Sequence, residues 1–279
     1  LIDDLNSVER YIPSKWEWLD NCMGGGFLEA GKALYVFAGE TNIGKSIFLG
    51  NIAHNIAKEG KNVLLVTLEM SELLYARRIC SNVTKIPMKQ LAENTPSIKQ
   101  AMKDKNGKIF IKEFPPATIT ANQLKAFIKK FQEKGIKIDA IVLDYLNLMH
   151  SPVGNNSYER IKHVTEQVRA MSYLFNCPII SATQLNRAGF DTDNPDLATI
   201  SESIGLAATA DAIISIFQNE EDRGIGIIRL GMMKNRYGPR GMTQAMRIDY
   251  STLTIEQADD IEIDEGMDDT LNMLAGLAT

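Results

Sequence analysis

Six short apolar runs, rich in β-branched residues, recur along the chain: ALYVFA (33 to 38), NVLLVTLE (62 to 69), KIFIKEF (108 to 114), DAIVLDYL (139 to 146), CPIISATQ (177 to 184) and DAIISIFQ (211 to 218). Between them lie stretches with helical periodicity, at 46 to 59, 71 to 82, 121 to 134 and 158 to 175. The last carries apolar or aromatic residues at Ile161, Val164, Val168, Met171 and Leu174, the spacing of a helix with one buried face. Strands and helices in alternation predict an α/β fold, a mostly parallel sheet flanked by helices. After residue 224 the pattern changes. GIGIIRLGMMKNRYGPRG and QAMRIDYSTLTIEQ are two strand-like runs separated by Gly and Pro, which predicts an antiparallel extension at the sheet edge near the C-terminus. No internal repeat is evident.

Composition narrows the picture. With 279 residues and 44% hydrophobic content the chain can bury a sizeable core, and one domain with appendages is expected. Cys22, Cys80 and Cys177 are odd in number and far apart, which suggests neither a disulfide framework nor a zinc site and fits reduced core thiols in a cytoplasmic protein. His54, His150 and His163 show no metal-ligand spacing, and no apolar run approaches the roughly 18 residues that span a bilayer. The net charge of −5 conceals an acidic end: residues 256 to 279 hold eight Asp and Glu and no Lys or Arg. The remainder is therefore mildly basic and can meet a polyanion, whereas the tail, ending in LNMLAGLA, suits either a protein partner or simple solvation. The chain begins with Leu1, and a piece of a longer protein is expected.

The candidate chemistry is concentrated in GETNIGKS (39 to 46), a full match to G-x-x-x-x-G-K-S/T placed between a strand-like run and a helix-like one. By chance such a match occurs in a chain of this length roughly once in 100. In this context Gly39, Glu40, Thr41, Asn42, Ile43 and Gly44 form a loop whose backbone N–H groups cradle phosphates at a helix N-terminus. Lys45 reaches the outer phosphates of ATP and Ser46 the Mg²⁺. Ligands in open α/β sheets sit at the carboxyl ends of the strands, so three strand-end residues matter. Asp144 closes AIVL and suits Mg²⁺ orientation. Glu69 closes VLLVTLE and suits a general base that polarises water, although an acid at a helix N-terminus is an ordinary alternative. Gln184 closes PIISATQ and suits a γ-phosphate sensor, or a plain strand cap.

Taken together behind one phosphate loop, these residues form the constellation of a RecA-like P-loop NTPase. Lys234, Arg236 and Arg240 in KNRYGPRG are too distant along the chain to join that loop. An arginine finger offered to a neighbouring subunit is the sharper reading, and a solvated basic hairpin the plainer one.

From about residue 13 to 250 the chain resembles the C-terminal ATPase domain of DnaB-type replicative helicases, phage-encoded members especially. GETNIGKS resembles the family phosphate loop, VTLEMS the strand of the catalytic glutamate, LDYLNLM the Mg²⁺ strand, SATQLNR the glutamine sensor, and KNRYGPRG the lysine and arginine finger, all in order. The resemblance further implies a nucleotide contact at Arg78 and a base-stacking aromatic at Tyr250. It implies a hexameric ring around single-stranded DNA moving 5′ to 3′, with two DNA-facing loops at about 150 to 160, backed by Arg160 and Lys162, and at 186 to 205. In the second loop Ser201, Glu202 and Gly205 fall where the family often has Arg-Glu-Ser-Gly, and Ser201 replaces the arginine. Residues 1 to 20 would be a linker, 21 to 255 the ATPase domain and 256 to 279 an acidic tail. A primase, loader or polymerase would bind the N-terminal region or that tail, in a bacterial or phage-infected cell. Two alternatives stay open: a RecA-type recombinase forming filaments, and a non-hydrolysing ATP-gated loader or scaffold.

Overall fold

The computed structural model describes residues 9–101, 103, 107–185 and 204–258. The expected alternation is present. β1 (Tyr11–Ile12), α1 (Glu17–Cys22) and β2 (Phe27–Leu28) precede β3 (Leu34–Gly39), α2 (Lys45–Lys58), β4 (Val63–Thr67), α3 (Glu72–Thr84) and α4 (Thr95–Ala101). Next come β5 (Ile109–Glu113), α5 (Ala121–Glu133), β6 (Ala140–Asp144), α6 (Ser157–Phe175), β7 (Ile179–Gln184), α7 (Ile204–Thr209) and β8 (Ala212–Phe217). The chain ends its described part with α8 (Glu220–Gly224), β9 (Ile227–Asn235), β10 (Thr243–Asp249) and β11 (Thr254–Gln257).

One sheet of nine strands, ordered β11-β10-β9-β8-β3-β7-β6-β4-β5, organises these elements. From β8 to β5 neighbouring strands run parallel, while β9, β10 and β11 are antiparallel. Side chains alternate across the sheet as the pleat requires. Tyr35 and Phe37 of β3 join the core beneath α2 and α3, whereas Leu34, Val36 and Ala38 join the core beneath α5 and α6. The central parallel strands β3, β4, β6, β7 and β8 are thus buried on both faces and read as continuous apolar runs, whereas the edge strand β5 is only half-buried. The antiparallel extension lies at the edge the composition change indicated.

Three details differ from the sequence reading. Residues 11 to 20 pack against the body of the fold: β1 pairs with β2, Trp16 is in the core, and its Nε1 donates to Ile255 O at 3.2 Å. The expected boundary at residue 20 falls inside α1, and that at 255 falls inside β11. Leu174 is 53% exposed, and Phe175 occupies the buried position instead. Cys80 is only half-buried, unlike Cys22 and Cys177. Among the described residues no helix is long and apolar enough to cross a membrane.

Candidate active site

β3 delivers the phosphate loop at its carboxyl end. A Cβ on Gly39 would lie 2.7 Å from Ile43 Cγ2 and 3.1 Å from Ile216 O, so only glycine lets the loop pass this close to the end of β8. Gly44 caps α2 with φ 103°, a backbone state that glycine adopts without steric cost. The loop therefore turns straight into a helix whose first N–H groups have no intrahelical acceptor, a ready anion site. Lys45 lies back over the loop, its Nζ donating to Gly39 O at 3.0 Å and Glu40 O at 2.5 Å. Burial lowers its pKa, against the pull of Glu69, Asp144 and Glu40. These acids surround the lysine electrostatically although they arrive from separate strands.

Asp144, at the end of β6, is wholly buried, and neither carboxylate oxygen has a hydrogen-bonding partner among the described residues. Its pKa is pushed up to about 6, chiefly by burial, while the nearby Ser46 and Tyr75 hydroxyls and Lys45 favour the charged form. Neither hydroxyl meets the carboxylate in hydrogen-bond geometry. Tyr75 Oη donates instead to Ser46 O at 3.0 Å. A buried carboxylate left unpaired is costly, and it fits a hard cation, since Mg²⁺ takes few protein carboxylates and completes its shell with water and substrate phosphates. Among the described residues no group of three or more His, Cys, Asp and Glu is arranged to hold a metal by itself. The site suits an ion that arrives with its substrate.

Glu69 stands two residues beyond the end of β4, which stops at Thr67 rather than at the glutamate. Thr67 shapes this bend by exchanging hydrogen bonds with Met70, at 2.9 Å to its carbonyl and 3.0 Å from its N–H. Glu69 is consequently exposed. Gln184 pairs in register with Gly39 and donates from Nε2 to Thr41 Oγ1 at 2.5 Å. The glutamine of β7 is thus joined directly to the phosphate loop.

Arg78, on α3, lines a narrow cleft with Ser46, Ile47 and Gly50, and Leu253 forms part of its wall. Leu253 belongs to the turn between β10 and β11 that carries Tyr250, 52% exposed. A buried polar network that sequence spacing gave no sign of fixes this turn to α2 and α3. Asn51 and Asn82 donate to Leu253 O at 2.9 and 3.0 Å, Asn82 also donates to Asn51 Oδ1, and His54 Nδ1 meets Asn82 Oδ1. Burial drives the His54 pKa down to about 4. Tyr75 was likewise missed, because one aromatic at helical spacing reads as ordinary core.

Lys234 and Arg236 lie elsewhere. β9 runs antiparallel to β8 and pairs Lys234 with Ile213 and Asn235 with Ala212, so both cations sit where the parallel strands begin. Six residues of β3 separate the two ends, roughly 17 Å at strand rise. Arg236 pairs with Asp211, and Lys234 Nζ donates to Ala207 O and Ala208 O. Arg240 is exposed beyond the turn.

Of the two expected DNA loops, the first is visible. Arg160 Nε donates to Gly154 O, and a cavity beneath the loop is lined by Asn147, His150, Ser151, Arg160 and Gln184. Residues 186 to 203, with Ser201 and Glu202, lie outside the described residues. Gly205 is the second residue of α7 and lies against Lys162.

A phosphate loop at the carboxyl edge of this sheet, ringed by polar strand ends, defines a P-loop NTPase core of RecA-like fold. The chain belongs to the DnaB-like helicase C-terminal domain family, whose model matches residues 12–254. It is 27% identical over 244 residues to the DnaB-like replicative helicase of Enterobacteria phage T4, covering 83% of this chain and 51% of that protein. A solved ATPase domain superposes with TM-score 0.78 at 20% identity, over 92% of this chain and 95% of that one. A DnaB-like replicative helicase, solved in a study of its interactions with primase, gives 0.77 at 20% identity, over 92% of this chain and 64% of that one. The chain spans about half the length of the curated relatives it matches.

Proposed function

We propose that this chain is the ATP-hydrolysing motor of a replicative DNA helicase, acting as a hexameric ring that moves 5′ to 3′ on single-stranded DNA. The observation that carries the reading is the convergence, at one sheet end, of Lys45, Glu69, the buried Asp144, which has no hydrogen-bonding partner among the described residues, and the Gln184–Thr41 bond. Backbone N–H groups of residues 39 to 44 and the start of α2 receive the ATP phosphates. Lys45 exchanges its carbonyl partners for the outer phosphates. Ser46 and Asp144 would hold Mg²⁺, which when bound would supply positive charge to the phosphates. Glu69, exposed on its bend, accepts the proton of the attacking water. Arg78 and the Tyr250 turn contact the nucleotide from the α3 side.

Lys234 and Arg236 supply their charge to the neighbouring subunit's site, because a full strand length keeps them from their own. Gln184 links the phosphate loop to the cavity beneath residues 150 to 160, a route by which the γ-phosphate state reaches the DNA loops. Primase, loader or polymerase would bind through the N-terminal region or the acidic tail, in the cytoplasm of a bacterial or phage-infected cell. The test is ATP turnover by the full-length protein with and without single-stranded DNA, for wild type and Lys45→Ala. DNA should stimulate the wild type, and the variant should lose at least about 10²-fold. DNA-insensitive turnover, or turnover surviving the substitution, would sink the reading.

A further inference from the structure

We infer that Asp211 is a positioning residue that pre-aims Arg236 toward the neighbouring subunit's nucleotide. The inference rests on the proposed role of Arg236 and adds how the guanidinium is held. Asp211 stands just before β8 and is only 2% exposed. Two kinds of contact join it to Arg236: the backbone N–H of Arg236 donates to Asp211 O at 3.0 Å, and Nη1 donates to Oδ1 at 2.7 Å. Nη2 adds a bond to Ala208 O at 3.2 Å, near the end of α7. Backbone and side chain are therefore fixed by one residue. Two of the five guanidinium N–H donors are engaged through these side-chain bonds, and the others face no partner among the described residues. They stay available to a phosphate.

The carboxylate is itself anchored, so it cannot follow the arginine outward. Arg169 grips it with a two-pronged contact, Nε to Oδ2 and Nη2 to Oδ1, both 2.9 Å, and Leu34 N donates to Oδ2 at 2.9 Å. Arg169 is the more buried guanidinium, with its side chain 24% exposed against 45% for Arg236. The fork to Arg169 is the fixed half of the arrangement, and the single bond to Arg236 is the half that can be shared with a substrate. Lys234, held by Ala207 O and Ala208 O, adds a third cation around this single carboxylate. The cluster therefore carries excess positive charge facing outward. An arginine held in place before substrate arrives loses less rotamer freedom in the reaction. Removing its anchor should therefore slow turnover and leave nucleotide affinity alone.

The experiment uses rings of the full-length protein. Asp211→Asn should lower kcat on the order of 10²-fold, with KM for ATP essentially unchanged. Mixing it with Lys45→Ala subunits, whose own loop is disabled but whose Arg236 and Asp211 are intact, should raise turnover above that of either parent. An unchanged kcat would overturn the inference. So would a loss that mixing fails to rescue, since Asp211 would then act on its own β3 through Leu34. Arg236→Ala mixed with Lys45→Ala runs in parallel: absence of rescue there defeats the proposed role of Arg236 itself, whereas rescue there alone defeats only the role of Asp211. If Asp211→Asn does not assemble, Asp211→Glu carries the same comparison, with a smaller kcat loss expected and a wild-type kcat overturning the inference.

Discussion

Asp144 and Asp211 are both buried aspartates at strand ends, 0% and 2% exposed, yet the first has no partner among the described residues and the second is gripped by Arg169, Arg236 and Leu34 N. Asp144 closes a parallel strand, at the edge where backbone N–H groups and Lys45 await an anion. Asp211 stands just before β8, at the opposite edge, where Arg169, Arg236 and Lys234 gather around one carboxylate. One chain thus carries two unlike half-sites. The half at the carboxyl edge accumulates electrostatic cost to be relieved by a ligand, and the other stores a charge in finished form.

The largest effect separating these halves is expected from Arg236→Ala. In the assembled ring it should reduce kcat by about 10³- to 10⁵-fold, while nucleotide binding, followed by a fluorescent ATP analogue, stays near wild type. Weakened binding would place Arg236 in its own chain's site and dissolve the contrast. Asp144→Asn comes next, through stability. With its folded pKa near 6 above the ordinary 3.8, Asp144 favours the fold only when protonated, and that contribution disappears as pH rises from about 4 through 6. At pH 7, without nucleotide, Asp144→Asn should raise unfolding stability by up to about 3 kcal/mol and abolish Mg²⁺-dependent turnover. Urea melts read the first and hydrolysis assays the second, and a loss of stability would refute the account of Asp144 as an unpaired charge.

His54 gives the smallest effect and a scale for the others, because it is buried with a partner and lies at neither half-site. Its folded pKa near 4 is below the ordinary 6.5. Stability is therefore full above about pH 6.5, falls as pH drops toward 4, and loses about 1.4 kcal/mol by pH 5.5. His54→Gln should flatten that segment of the stability–pH curve. An unchanged slope would assign the acid sensitivity to other groups.

Much of the half-site around Lys45 was legible because its residues follow apolar strands, and a strand end has a known place in a parallel sheet. Asp144 and Gln184 needed only that rule, and Gly39 and Lys45 only the glycine-rich loop pattern. Glu69 was expected to close its strand, but the Thr67–Met70 bend ends that strand two residues earlier. The Asp211 cluster was not legible. Arg169 and Arg236 approach it from positions 42 and 25 residues away, on a helix and on an antiparallel strand, and no local periodicity encodes such a meeting. The His54–Asn82–Asn51 network was hidden for the same reason. Trp16 and β1 were hidden by a short segment whose apolar residues are too few to show a period.

The register between β8 and β9 shifts once, between Ile213 and Ile214, which pair with Lys234 and Met232 and leave Met233 as the extra residue of a bulge. Side chains alternate along a strand, so one surplus residue inverts the parity of everything beyond it. That inversion is what turns Lys234 and Arg236, rather than Asn235 and Tyr237, toward Asp211 and the end of α7. The hairpin is thus governed by counting as much as by chemistry: deleting Met233 would close the bulge and still leave Lys234 opposite Ile213, whereas straightening the strand with every residue kept would put Asn235 and Tyr237 on the cationic face.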